Sequence, residues 1–284
     1  MSNKKVNAPI TFAVGQEIGG VNLLIPFAKQ LSPHLKLCLD SPSKELYKES
    51  VTISIKEVIE SSNPGDRIVV AGSIDNLPTQ TLPLYEHCIK RGIDFSITLD
   101  NWVYYPERLK GLGKTNLIVF DHFAFKYAES VFGSFHKIHQ VENSFANAVL
   151  VEAKKMPTIQ NSWLFLDSRP NTFTSFPTDL HGVGCCCSQI VRVMKFSEHF
   201  TYRSHPSYKR LECLSYLASF SSSKIDFSEE PDLAKDLGRH SHIFGSPGYA
   251  LYLAFLAGKQ VFMTSKTTPT WHGPEFTLLP NFSF

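Results

Sequence analysis

Two short polar stretches in the carboxyl-terminal half of this 284-residue chain have the residue types to hold an anion. Gly245-Ser246-Pro247-Gly248 separates a short strand pattern (Ser241 to Phe244) from an apolar helix pattern (Tyr249 to Ala257). A small-residue turn that feeds a helix start presents unpaired N–H groups and the positive end of the helix dipole, and both favour a phosphate. Ser246 suits an N-cap and a phosphate ligand alike. Arg203-Ser204-His205-Pro206 ends another strand pattern in the same half. The proline fixes the backbone beside His205, whose imidazole either donates to a nucleotide or is satisfied by a local carbonyl. Arg203 either reaches the same phosphates or packs its stem in the core. Arg169, between Ser168 and Asn171, follows the first strand of this half and is a diphosphate contact or part of a solvated loop. Glu229 and Glu230 either accept ribose hydroxyls or favour the start of the helix that follows.

The amino-terminal half carries the carboxylates. Glu17 lies in Gly15-Gln16-Glu17-Ile18-Gly19-Gly20, where glycines let backbone approach a ligand closely. It is either a base that takes a proton from a hydroxyl or a residue at the favourable end of the following helix dipole. Asp100 ends a strand pattern and is a base, a ligand contact or the cap of its own turn. Trp102, Tyr104 and Tyr105 suit sugar stacking or core packing. Arg108 is a phosphate ligand or a salt-bridge partner of Asp100 or Glu107. Asp121 and His122 end the next strand pattern and carry less information.

These residues need strand ends to position them, and the chain supplies alternating strand and helix patterns throughout. Strands are predicted over Ile10 to Val14, Leu35 to Leu39, Arg67 to Gly72, Asp94 to Leu99, Asn116 to Phe120 and His136 to Val141. Helices are predicted over Val21 to Leu31, Ser43 to Ser50, Ser54 to Ser61, Pro83 to Arg91 and Ala124 to Phe132. A helix and linker over Asn143 to Gln160 lead to a second series. It has strands at Trp163 to Leu166, Phe200 to Arg203, Lys224 to Phe227, Ser241 to Phe244 and Gln260 to Met263. Its helices cover Gly182 to Ser197 and Tyr208 to Ser219, with another beginning at Asp232. The tail from Thr264 lacks periodicity and is expected to pack on the first half. The expected fold class is α/β, with two doubly wound Rossmann-like domains at 1–155 and 156–284 facing a cleft.

Composition excludes several classes. Hydrophobic content of 43% with 19% charged residues is that of a globular chain, and a net charge of +2 gives no field for nucleic acid. There is no eighteen-residue apolar run and no signal-peptide pattern. The six cysteines, three of them the run Cys185-Cys186-Cys187, lack zinc spacing and read as free thiols. The sequence contains no D-x-D, H-x-x-x-H, G-x-S-x-G, P-loop or G-x-G-x-x-G pattern, so no metal, NAD or other cofactor is expected.

Four segments, in order, resemble the GT-B-fold glycosyltransferases of bacterial polysaccharide synthesis. Val14 to Gly20 resembles their glycine-rich acceptor loop, and Asp100-x-Trp102-x-x-Tyr105-x-x-Arg108-Leu109 their D-x-W-x-x-Y-x-x-R-[FL] segment. Arg203-Ser204-His205-Pro206 resembles the His-Pro motif of sialyltransferases and Kdo transferases, and Gly245-Ser246 before a helix their Ser/Thr motif. The resemblance implies a metal-independent transferase acting on a CMP- or UDP-sugar donor and a glycan or lipid-linked glycan acceptor. Glu17 or Asp100 would be the base. Arg203, His205, Ser246, Gly245 and Arg169 would hold the nucleotide, and Gly19, Gly20, Trp102 and Arg108 the acceptor. It further implies a cytoplasmic enzyme, at the inner membrane face if its acceptor is lipid-linked. A UDP-sugar 2-epimerase and a non-catalytic nucleotide-sugar-binding protein are the alternative readings.

Overall fold

The computed structural model describes residues 8–48, 50–72, 81–167, 190, 193–205, 225–264 and 271–279. Two compact units, Met1–Phe145 and Ala146–Phe284, divide the chain.

The first unit is built on six parallel strands. They are β1 (Thr11–Gly15), β2 (Leu35–Leu39), β3 (Arg67–Ala71), β4 (Asp94–Thr98), β5 (Asn116–Val119) and β6 (Lys137–Gln140), in spatial order β2-β1-β3-β4-β5-β6. β1 is buried along its whole length and β3 over its last four residues. Such apolar runs are what a parallel sheet covered on both faces requires. The connecting helices are α1 (Ile18–Leu31), the short α2 (Ser43–Leu46), α3 (Ile55–Ser61), α4 (Leu82–Arg91), α5 (Tyr105–Arg108) and α6 (His122–Phe132). Their ends follow local chemistry. Ser54 and Glu57 form a reciprocal capping box on α3. Asp121 accepts from the Ala124 amide to cap α6. Gly92, at a φ of 66°, ends α4 in the left-handed region. Cys38 and Cys88 are buried free thiols, and burial pushes each thiol up to about 12, so neither is a reactive thiolate near neutral pH.

The helix α7 (Ser144–Lys154) leads into the second unit. Its six parallel strands are β7 (Ile159–Leu166), β8 (His199–Arg203), β9 (Asp226–Phe227), β10 (His240–Gly245), β11 (Gln260–Met263) and β12 (Thr277–Leu278), in spatial order β12-β11-β10-β7-β8-β9. The chain starts at the sheet centre with β7, steps outward to β9, then crosses back to β10 on the other flank of β7. That reversal defines a switch point of a doubly wound sheet, between β7 and β10. The first unit has its own reversal between β1 and β3. Two further helices, α8 (Leu233–Arg239) and α9 (Tyr249–Leu256), complete the described elements. On one face of the second sheet, Trp163, Phe165, Phe200, Tyr202 and Phe244 pack with Ile190 and Val193.

The predicted strands are present within a residue or two at most ends, and the sheet class is as expected. The tail differs: Thr277–Leu278 adds β12 beside β11, so this part belongs to the second unit's sheet. The turn-like segment after β4 holds an unpredicted helix, α5. The predicted helix Tyr208 to Ser219, Pro206, Arg169 with its loop, and Cys185, Cys186, Cys187 and Cys213 lie outside the described residues.

Gly245 ends β10 where a side chain does not fit: a Cβ there would lie 2.5 Å from the Leu166 carbonyl oxygen of β7. Gly245→Ala is expected to destabilise the protein by about 1–3 kcal/mol through overpacking against backbone. A lowered midpoint of chemical denaturation at unchanged slope checks this.

Candidate functional site

Ligands of open α/β sheets bind outside the carboxyl ends of the strands, at the switch point. In the first unit that edge carries Gln16 and Glu17 after β1, Gly72 after β3 and Asp100 just beyond β4. Glu17 is the N-cap residue of α1, has extended backbone and makes no side-chain capping bond. The carboxylate thus sits at the favourable end of the α1 dipole without forming a capping bond. It is half-buried, as is Gln16, while Gly19 is exposed and Gly20 buried.

Asp100 and Arg108 form a buried ion pair. Arg108 Nη1 donates to Asp100 Oδ1 at 2.6 Å and to the carbonyl oxygens of Asp100 and Gly72 at 2.9 Å each. The two side chains are 6% and 3% exposed. The guanidinium thus ties the carboxyl ends of β3 and β4 together while fixing one oxygen of Asp100. The other, Oδ2, faces the first turn of α1: Cβ atoms added at Gly19 and Gly20 would lie 3.5 and 3.7 Å from it. Arg108 Nε is buried and has no hydrogen-bond partner among the described residues.

Four of the expected residues, Gly19, Gly20, Asp100 and Arg108, therefore come together, with Glu17 beside them at the start of α1. For two of these residues the structure selects between the stated readings, core packing for Trp102 and the salt bridge with Asp100 for Arg108. Trp102 is fully buried and donates its indole N–H to Asp121 Oδ1 at 2.9 Å, so its ring is packing and not a surface for a sugar. Arg108 is a buried strand tie, not an exposed anion ligand. Burial raises the Asp121 carboxyl above its ordinary value, against the lowering effect of its bonds from Ala124 and Trp102.

In the second unit, Leu166 of β7 pairs with Arg203 of β8 on one side and Gly245 of β10 on the other. The two flanking strand ends are thus level and about 10 Å apart, two strand spacings. Ser204, His205 and Ser246 follow them at one edge, all half-buried. Ser246 precedes α9, whose N-cap Gly248 supplies no side-chain cap.

Arg203 is the exception. Its Nη1 donates to Asp236 Oδ2 of α8 at 2.5 Å and to the Glu230 carbonyl at 2.7 Å, and its Nη2 donates to the Pro231 carbonyl at 3.2 Å. The Ser228 hydroxyl also donates to Asp236. Arg203 thus fastens the β9–α8 loop, and Asp236 neutralises its charge; the expected phosphate contact is replaced by this network. Sequence reasoning missed Asp236 as the partner of Arg203, and it read Asp121 as a strand-end acid without its bond from the Trp102 indole. Among the described residues no group of three or more His, Cys, Asp or Glu is placed to hold a metal ion. No helix among them is long and apolar enough to cross a membrane.

Comparison with known proteins gives a fold likeness. No protein-family model and no curated protein matches the chain. Among solved structures, UDP-GlcNAc 2-epimerase from Methanocaldococcus jannaschii is similar at 12% identity and a TM-score of 0.58, over 91% of this chain and 84% of that one. UDP-GlcNAc 2-epimerase from Neisseria meningitidis bound to UDP-GlcNAc is similar at 13% identity and a TM-score of 0.55, over 91% and 83%. The chain therefore has the two-sheet α/β fold of these GT-B-like proteins.

Two stability measurements probe the site. Arg108→Met leaves Asp100 buried without its partner and is expected to cost about 3–5 kcal/mol, read from denaturant midpoints. His240 is buried, with its ring nitrogens on the Asp236 carbonyl and the Thr201 hydroxyl, at 2.8 and 2.9 Å. Burial lowers it from its ordinary value of 6.5. The unfolded chain then binds more protons, so stability falls as pH drops below 6.5 towards the lowered folded value. A His240→Gln chain is expected to lose part of that slope in denaturation midpoints measured across this range.

Proposed function

We propose that this protein is a nucleotide-sugar enzyme that transfers the sugar of a CMP- or UDP-sugar to a glycan hydroxyl. The nucleotide binds at the carboxyl edge of the second unit, and the acceptor at that of the first. The observation that carries this reading is the β10–α9 turn, Gly245 to Gly248. It sits at the reversal of a doubly wound sheet, with His205 across β7 from it. Ser246 and the backbone amides at the start of α9 supply neutral donors to a phosphate. In the first unit, Glu17 is the base. Its carboxylate is half-buried at the start of α1, whereas the Asp100 carboxylate is 6% exposed and held through Oδ1 by the Arg108 guanidinium.

A second reading is favoured by the fold likeness to two UDP-GlcNAc 2-epimerases: inversion of a UDP-sugar at C2 without an acceptor. Incubating the protein with UDP-GlcNAc alone separates the two, since appearance of the 2-epimer supports isomerisation and overturns transfer.

Nucleotide binding is tested first, by thermal shift with CMP, UDP, GDP, dTDP and ADP, because a ligand held only by the native state raises its apparent stability. We expect CMP or UDP to raise Tm, and the rise to shrink in Ser246→Ala and His205→Ala. No shift with any of the five, or a shift unchanged in both variants, would overturn the reading.

A further inference from the structure

The loop from Asp100 to Tyr105 is held in an unfavourable backbone. Among the described residues, three that are not glycine have positive φ, and two of them are here: Asn101 at 55° and Tyr104 at 58°. Asparagine tolerates this left-handed region, but a bulky tyrosine is a genuine outlier there. Such conformations persist where surrounding structure over-determines them, and they cluster at ligand sites.

The enforcing groups are the buried members of the D-x-W-x-x-Y-x-x-R pattern. Tyr105, fully buried and stacked on Tyr127 with ring centroids 4.5 Å apart, donates its hydroxyl to the Asn101 carbonyl at 2.6 Å. Arg108 holds the Asp100 carbonyl and carboxylate, and Trp102 is anchored on Asp121. Of the pattern's variable positions, Asn101, Val103 and Tyr104 are half-buried in the loop, and Pro106 and Glu107 are exposed on α5. Asn101 Nδ2 lies 3.4 Å from Asp100 Oδ2, a long bond at the weak end of the range.

We infer that Asn101 and Tyr104, with Asp100 Oδ2 behind the Asn101 amide, form the contact surface of the first unit for an uncharged, hydroxyl-rich group such as a sugar ring. The buried pattern residues act as positioning residues. A carboxamide beside a carboxylate oxygen offers a donor and an acceptor to neighbouring hydroxyls, and a phenol ring offers an apolar face with a polar tip. A phosphate is disfavoured, because the loop itself carries no cation and Arg108 behind it is buried and neutralised by Asp100, while Glu17 adds negative charge at the same edge. This assignment rests on the proposed reading that the first unit takes the acceptor, and it names that group's chemical class.

The test uses isotope-labelled full chain and two probes, N-acetylglucosamine and inorganic phosphate, read by amide chemical shifts at residues 101–105. Tyr104→Asn is the informative variant, since asparagine tolerates the left-handed region and the substitution relieves strain without touching the buried pattern. We expect N-acetylglucosamine, and not phosphate, to shift the Asn101 and Tyr104 amides. In Tyr104→Asn the thermal midpoint is expected to rise while the sugar response is lost. A sugar response that is absent in the wild type or survives in the variant, a response to phosphate, or a lowered midpoint in Tyr104→Asn would each overturn the inference. Nucleotide shifts dependent on Ser246, read separately, distinguish this failure from that of the proposed function. A nucleotide response without a sugar response sinks only the loop assignment.

Discussion

A guanidinium with almost no contact with water sits where two parallel strands end, and the geometry of that edge of the first unit depends on it. Arg108 reaches back over β3 (Arg67–Ala71) and β4 (Asp94–Thr98) to bond Gly72, the Asp100 backbone and the Asp100 carboxylate with one nitrogen. Taking both charges out of water costs several kcal/mol, and their attraction offsets that only when the geometry is good. The pair is therefore poor evidence of net stabilisation, and its value lies in position. It fixes which oxygen of Asp100 faces α1 (Ile18–Leu31) and keeps the two strand ends in register. Remove either partner and the other becomes a buried charge with nothing to answer it.

The second unit fixes its edge by a different means. There Arg203 and Asp236 also pair, but between a strand end and α8 (Leu233–Arg239), so the contact secures a loop beside the edge. The switch point itself is shaped by steric fit. Gly245 lies so close to Leu166 that only hydrogen can occupy the side-chain position. Both halves thus hold a rigid floor under a polar turn, one by charge and one by close backbone approach. A glycine at such a turn has a packing reason as well as the ligand reason a sequence motif suggests.

The sheets were legible in the sequence because parallel strands buried on both faces read as short apolar runs such as Ile-Val-Val-Ala at residues 68–71, between helix patterns. The helices that follow Ser54 and Asp121 were legible too, although the caps that start them were not read. Pairings were not. The partner of Arg203 lies thirty-three positions away on another element, and no local pattern announces that Asp236 will answer it. The D-x-W-x-x-Y-x-x-R pattern was visible as a motif, but its parts point inward. Tryptophan, tyrosine and arginine are residue types that suit ligand contacts and buried anchors alike, and only burial separates the two. The positive φ of Tyr104 had no signal, since it is imposed by neighbours against the residue's own preference.

The path of the chain through the second sheet has a consequence for its synthesis. β7 (Ile159–Leu166) is made first in that sheet and ends at its centre, yet one flank stays unpaired until β10 (His240–Gly245) has emerged. Until then a strand whose last five residues are buried in the finished protein exposes an open edge, the kind of surface that templates pairing with other chains. Closing it requires a contact across about eighty positions of sequence, which delays the step relative to local helix formation. The nascent second unit thus carries an open strand edge until Gly245 has left the ribosome, an interval in which chaperone capture would be of use.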